Sequence, residues 1–269
     1  MTAIAIAGCA GRMGRALIRE AIACPTLTLA GGFEAAGHAS IGADLGALAG
    51  LEPLGVRVEG AAESALKGAD VLIDFTTAAA APANARAAAA AGAALVLGAT
   101  GLSDAELAAV DALGRDIAVI RSGNFSLGVN LLAALAEEAA RRLPDDYDIE
   151  IVEAHHRDKV DAPSGTALML GGAAAAGRGV DLARRAVMSR TGQTQRRKAG
   201  EIGFASVRGG GIVGEHSVVF AATQEVVTLS HSAIDRALFA KGAIAAARFV
   251  AGKPPGLYSM RDVLGLSAR

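Results

Sequence analysis

The first half of this chain is a series of short, predominantly apolar runs separated by alanine-rich stretches of helical character. Residues 3–7, 27–33, 71–75, 95–97 and 117–120 show no polar alternation, which marks strands covered on both faces. Strands of that kind need helices between them, and residues 12–23 read as the first. The β-α-β rhythm predicts an α/β architecture, a doubly wound parallel sheet of the Rossmann type.

After Asn130 the pattern changes. A long helix over 131–142 stops before Pro144, and the run 147–154 alternates polar and apolar residues. Further strand-like runs at 202–207, 217–222 and 225–230, broken by glycine-rich turns, predict a second α+β domain with a mixed or antiparallel sheet. One face of that sheet should lie on a helix and the other toward solvent or a partner. A last helix over 234–250 closes the chain and is free to return to the first domain.

A net charge of -1 gives no general attraction to nucleic acid or to an anionic membrane. The only cysteines, Cys9 and Cys24, match no zinc or redox spacing, so a reducing, cytoplasmic setting is expected. A short apolar run ends at Gly8 before Arg12 and Arg15, the reverse of a signal peptide's order. The uncharged stretch 87–103 is broken by Gly92, Gly98 and Gly101 and reads as helix end, turn, strand and loop. The basic residues Arg184, Arg185, Arg190, Arg196, Arg197 and Lys198 lack interleaved aromatics and read as a solvated or subunit-contacting loop.

Between the first strand and the first helix stands Gly8-Cys9-Ala10-Gly11-Arg12-Met13-Gly14. Glycines there allow a sharp turn and let backbone N–H groups approach a pyrophosphate at the helix N-terminus. Glu34 ends the second strand twenty residues after Gly14, where an acid accepts hydrogen bonds from ribose hydroxyls. A merely structural glycine turn would not need that acid. Gly98-Ala99-Thr100-Gly101 and Ser122-Gly123-Asn124-Phe125 follow later strands, at the carboxyl edge where such sheets bind ligands. They read as contacts for the nicotinamide half, or as ordinary βα turns.

The densest cluster is Glu153-Ala154-His155-His156-Arg157-Asp158-Lys159-Val160-Asp161-Ala162-Pro163-Ser164-Gly165-Thr166, with two of the five histidines. Pro163 and Ser164 read as first-turn residues of a helix, and the N–H groups of Gly165 and Thr166 would point out of its end. A lysine beside a helix N-terminus favours a small, multiply negative ligand. Glu153, His155, His156, Asp158 and Asp161 are all possible metal ligands, but adjacent strand residues point to opposite faces. No metal is expected. His38, His216 (leading a strand) and His231 (at a helix start) are assigned structural hydrogen bonds.

At these residues the chain resembles the 4-hydroxy-tetrahydrodipicolinate (dihydrodipicolinate) reductases of lysine and diaminopimelate synthesis. The resemblance runs through GCAGRMGR at 8–15, DFT at 74–76, GATG at 98–101, NFSLGVN at 124–130, EAHHRDKVDAPSGTAL at 153–168 and IGFASVRGGGIVGEH at 202–216. It implies a dinucleotide-binding domain over 1–126 completed by 237–269, and a substrate and tetramerisation domain over 127–236. It implies His155 as proton donor and acceptor, Lys159 as a second proton donor and carboxylate contact, and His156, Gly165 and Thr166 as substrate contacts. Gly8, Gly11, Arg12, Met13, Glu34, Gly98, Ala99, Thr100, Ser122, Gly123, Asn124 and Phe125 would hold the dinucleotide. Many family members carry an arginine after the ribose-binding acid to pair with the 2′-phosphate of NADP. Here that position is Ala35, so NADH is expected to be preferred to NADPH or used equally. Two other readings fit parts of the pattern: another Rossmann reductase of an amino or imino dicarboxylate, and a non-catalytic dinucleotide sensor. Neither uses the whole cluster from His155 to Thr166.

Overall fold

A computed structural model describes residues 1–192 and 195–266. The chain forms two compact units, Met1–Ser126 with Ala237–Arg269, and Leu127–Arg236.

The first unit runs β1 (Thr2–Ala7), α1 (Arg12–Ile22), β2 (Leu27–Phe33), α2 (Leu45–Leu48), β3 (Val58–Glu59), α3 (Ala62–Ala65), β4 (Val71–Asp74), α4 (Ala81–Ala90), β5 (Ala94–Leu97), α5 (Asp104–Ala112) and β6 (Ala118–Arg121). The strands form a seven-stranded sheet in the order β12-β6-β5-β4-β1-β2-β3, and every pairing in it is parallel. Its edge strand β12 (Gly256–Tyr258) is preceded by α9 (Ala237–Val250) and followed by α10 (Met260–Val263). The central strands β4 and β5 are buried along their whole length, and their composition is apolar but for Asp74 at the end of β4. Helix α1 turns Gly14, Leu17, Ile18 and Ala21 inward at helical spacing. Burying Leu17 and Ile18 contributes roughly 2 kcal/mol each. Small residues let α9 approach closely: a Cβ at Gly242 would fall 1.6 Å from the Phe125 carbonyl oxygen.

The second unit contains α6 (Leu127–Arg142), β7 (Asp148–His155), α7 (Gly165–Gly177), α8 (Leu182–Arg185), β8 (Ala186–Val187), β9 (Ile202–Arg208), β10 (Gly214–Ala221) and β11 (Val226–Ala233). Its sheet order is β11-β10-β7-β9-β8, with β10 antiparallel to both neighbours and the other pairs parallel. Ile149, Ile151, Ile202, Phe204, Val218 and Phe220 pack with Leu132 and Ala136 of α6 and Ala167, Leu170 and Ala174 of α7. The opposite face is open, and Val152, Val207 and Val226 on it are 38%, 52% and 60% exposed.

The two-residue β3 and three-residue β12 carry no readable period and are not predicted from sequence. Helix α6 starts at Leu127, not residue 131, its first turn disguised by Gly128 and Asn130. Strand β11 continues to Ala233, which places His231 in the sheet opposite His216 rather than at a helix start. Alternation simply persists through Ser230, His231 and Ser232. The basic stretch is in part neutralised within the second unit. Arg190 pairs with Glu150, and Arg197 with Asp148 and Glu150. Gln193 and Thr194 of that loop lie outside the described residues.

Candidate active site

In the first unit, all the sequence-predicted dinucleotide contacts lie at the carboxyl edge of the parallel sheet, after β1, β2, β5 and β6. Gly8 adopts φ +63°, and its N–H donates to the Phe33 carbonyl at 2.9 Å. A Cβ at Gly14 would lie 2.3 Å from the Gly8 oxygen and 2.6 Å from the Cys9 Cα, so only glycine fits. Gly11 stands at the N-cap of α1 with no side-chain cap, leaving the helix end to an external acceptor. Glu34 reaches back to the loop, and its Oε1 accepts from the Ala10 N–H at 2.8 Å. Arg12 and Ala35 are exposed, and Met13 is half-buried. A tight glycine turn, an uncapped helix end and an acid are thus held together at one place on the sheet's edge.

The remaining loops are built by packing. A Cβ at Gly98 would strike the Phe75 ring at 2.3 Å, and that ring stands 5.1 Å from the Phe125 ring. The loop from Gly98 through Ala99 and Thr100 is thereby held under Phe75. Ser122 Oγ donates to the Asn124 carbonyl at 2.8 Å, and Asn124 Oδ1 accepts from the Ser126 N–H at 2.8 Å. A Cβ at Gly123 would meet open space. Phe125 is 1% exposed, so its ring is core and this position offers a ligand its backbone. Sequence reasoning missed the support beneath the glycine loop. Asp74, fully buried, accepts from Thr76 N at 2.8 Å, Thr76 Oγ1 at 2.6 Å and Asn84 Nδ2 at 2.9 Å. The signal was a charged residue closing an apolar strand with a hydroxyl two residues later. Cys9 is buried, and burial followed by the Glu34 charge pushes its thiol up to about 12, which leaves it unreactive.

In the second unit, the dense cluster wraps around the end of β7. His155 is the last residue of that strand and His156 follows it. Helix α7 begins at Gly165 with Ser164 as N-cap, whose Oγ accepts from the Ala167 N–H at 3.1 Å. Pro163 stands outside the helix, after a cis Ala162–Pro163 peptide, and not in its first turn. A Cβ at Gly165 would meet open space, so a ligand can approach the first N–H groups of α7. Lys159 Nζ donates to both Asp161 carboxylate oxygens, at 2.7 and 2.9 Å. Arg236 Nη2 lies 3.2 Å from His156 Nε2. Among the described residues no three His, Cys, Asp or Glu side chains converge as metal ligands.

Behind this surface lie three groups that sequence reasoning did not connect. Glu153 is 1% exposed and takes both Arg208 Nη groups, at 2.7 and 2.8 Å. Its Oε2 also lies 2.6 Å from His155 Nδ1. Burial alone would raise this carboxyl, yet hydrogen bonds from Arg208, Ser206 and His155 carry it down to about 2. His216, 5% exposed, sits with Nε2 3.1 Å from Ser164 Oγ and its ring 5.0 Å from that of His155.

His216 carries a pH prediction. Burial first, then the nearby charge of His155, holds it down at about 4, with His231 and Lys159 acting the same way and Glu153 opposing. Its unfolded value is about 6.5, so the unfolded chain takes up the proton first as pH falls. Stability is therefore full above about pH 6.5 and is lost progressively down to about pH 4. Between pH 7 and 5 the loss through this one residue should be about 2 kcal/mol. Urea unfolding of the parent and His216→Gln at both pH values checks this. The pH-dependent difference should shrink in the variant, and an unchanged difference would refute the assignment.

The comparisons agree across both units. Residues 2–125 match the family model described as dihydrodipicolinate reductase, N-terminus, and residues 128–264 match its C-terminus counterpart. The chain is 51% identical to the 4-hydroxy-tetrahydrodipicolinate reductase of Rhodopseudomonas palustris (strain BisB18), over 97% of each chain. It is 54% identical to that of Caulobacter vibrioides, over 97% of this chain and 96% of the relative. Among solved structures, it superposes on dipicolinate-bound dihydrodipicolinate reductase from Paenisporosarcina sp. TG-14 with a TM-score of 0.77. Identity there is 25%, with 96% of this chain and 97% of the other covered. An amine dehydrogenase from Mycobacterium smegmatis, 15% identical with a TM-score of 0.69 over 100% of this chain and 97% of the other, shares the fold. The chain belongs to the 4-hydroxy-tetrahydrodipicolinate (dihydrodipicolinate) reductase family.

Proposed function

We propose that this chain reduces 4-hydroxy-tetrahydrodipicolinate to tetrahydrodipicolinate with NADH or NADPH, in lysine and diaminopimelate synthesis. The observation that carries the reading is one loop of the second unit. It brings a histidine pair, a lysine and the N-terminus of the 13-residue helix α7 together beside an ionised buried carboxylate. Two carboxylates on one small ring need two positive subsites, and Lys159 and the first N–H groups of α7 provide them. In this reading the Asp161 carboxylate holds the Lys159 ammonium until a substrate carboxylate replaces it. His156, Gly165 and Thr166 orient the ring.

Loss of water from the hydroxylated ring leaves a conjugated imine, and bound NAD(P)H supplies the hydride that reduces it. The electron pair displaced by that addition must be protonated, so one proton is consumed for each hydride. His155 is the donor, with Lys159 as a second. No metal enters this reading.

The loop Gly8–Met13, Glu34, Gly98–Thr100 and Ser122–Phe125 would hold the dinucleotide. With Glu34 present and Ala35 carrying no charge, a 2′-phosphate meets an acid without a partner. NADH should give the higher or an equal kcat/KM with freshly generated substrate, and Ala35→Arg should shift the ratio toward NADPH. A tenfold NADPH preference in the parent would refute this cofactor assignment.

The open, partly apolar face of the second sheet supports a homotetramer built through that sheet. Unpaired cysteines fit a cytoplasmic location, and no helix among the described residues is long and apolar enough to cross a membrane.

A further inference from the structure

We propose that Glu153 and Arg208 are positioning residues that fix which nitrogen of His155 delivers its proton. The inference deepens the assignment of His155 as proton donor and rests on it. Glu153 accepts from His155 Nδ1 at 2.6 Å, so that nitrogen keeps its hydrogen in both the charged and the neutral ring. The other nitrogen, Nε2, is then the only one that can lose a proton. It lies over Gly214, where a Cβ would stand 3.1 Å away, so the absence of a side chain there leaves it room.

A carboxylate with freedom to rotate could not select a tautomer. Glu153 has none, because Arg208 grips both oxygens and the Ser164 N–H donates to Oε1 at 3.3 Å. Arg208 also donates to the Asp161 carbonyl at 2.7 Å. The same guanidinium therefore ties the strand bearing His155 to the loop bearing Lys159. Its charge offsets that of Glu153, so the buried carboxylate is never an isolated ion. Gly209 N–H donates to the His155 carbonyl at 2.9 Å and fixes the backbone end of the residue.

The chemistry balances. The charged ring holds a proton on each nitrogen; Nε2 gives its proton to the electron pair left by hydride addition, and the neutral Nδ1–H ring remains, hydrogen-bonded to Glu153. In the next turnover Nε2 takes a proton from solvent.

Three measurements test this. In 15N-histidine-labelled parent protein above its titration, the His155 Nδ1 signal should be pyrrole-like and Nε2 pyridine-like; the opposite pattern overturns the proposal. Glu153→Gln should lower kcat by on the order of 10- to 100-fold with little change in KM, and Glu153→Asp should recover part of the loss. Adding Glu153→Gln to His155→Gln should cause no further loss, because both act on one proton transfer. A multiplicative loss in the double variant, or a normal kcat in Glu153→Gln, would make the pair merely structural. If Glu153→Gln does not fold with Arg208 uncompensated, Glu153→Gln with Arg208→Met removes both charges and is read by the same criteria. A normal kcat in His155→Gln would instead refute the assignment of His155 itself, leaving the tautomer measurement to judge Glu153.

Discussion

Replacing His155 with glutamine should lower kcat by roughly 10²- to 10⁴-fold while KM changes far less, because a general acid acts on charge that exists only in the transition state. Glutamine keeps the length and polarity of the side chain but cannot give up a proton. Lys159 should behave differently. Its ammonium is bonded to Asp161 at 2.7 Å, and under the proposed function it exchanges that partner for a substrate carboxylate. That contact is made in ground and transition states alike, so Lys159→Ala should raise KM strongly, and lower kcat also where the lysine serves as second donor. His156→Gln should lose mainly in KM. Planar pyridine-2,6-dicarboxylate should compete with substrate, and Lys159→Ala should weaken its binding at least tenfold. Steady-state kinetics on the three variants, with titration of the pyridine dicarboxylate, separate these roles. Equal binding of the inhibitor to parent and Lys159→Ala would remove the lysine from the carboxylate subsite.

The second large effect is at Gly14. An alanine Cβ there would meet backbone atoms at 2.3, 2.6 and 2.7 Å, all belonging to Gly8 and Cys9. Backbone cannot swing aside as a side chain can, and moving it would drag with it the end of β1 and the glycine loop proposed to hold the dinucleotide. Gly14→Ala should therefore destabilise the protein by about 3 kcal/mol, the upper range of overpacking, and raise the KM for NADH at least tenfold. Gly172→Ala is the control. Its Cβ would meet nothing within 4 Å inside α7, so helix propensity should stabilise it by up to about 1 kcal/mol. Urea unfolding of both variants decides the point, and a Gly14→Ala protein as stable as the parent would contradict the close approach.

Much of this was legible in the chain because burial on both faces leaves a strand few polar residues and no polar alternation. The central strands β1, β2, β4, β5 and β6 announce themselves in that way, and the glycine loop is read from its place between β1 and α1. The edges were silent, since two or three residues at β3 and β12 hold no period. His231 was misplaced because a serine after a histidine looks like a helix cap, whereas in the fold both continue a strand. The cluster from His155 to Thr166 was visible as a concentration of chemistry, but its internal wiring was not. Glu153 reads in sequence as one acid among several. Only β7 and β9 lying side by side, with Arg208 reaching the Glu153 carboxylate, make it a fixed anion. Pairings of that span, 55 residues apart, leave no local pattern to find.

Hydride passes from NAD(P)H to the conjugated imine that a hydroxylated tetrahydropyridine dicarboxylate forms on losing water. The direct measurement is cofactor oxidation when the purified chain meets NADH and freshly generated 4-hydroxy-tetrahydrodipicolinate. One NADH should be oxidised for each substrate molecule converted to tetrahydrodipicolinate, with the rate abolished by saturating pyridine-2,6-dicarboxylate. No cofactor oxidation, or oxidation that proceeds equally without the substrate, would contradict it.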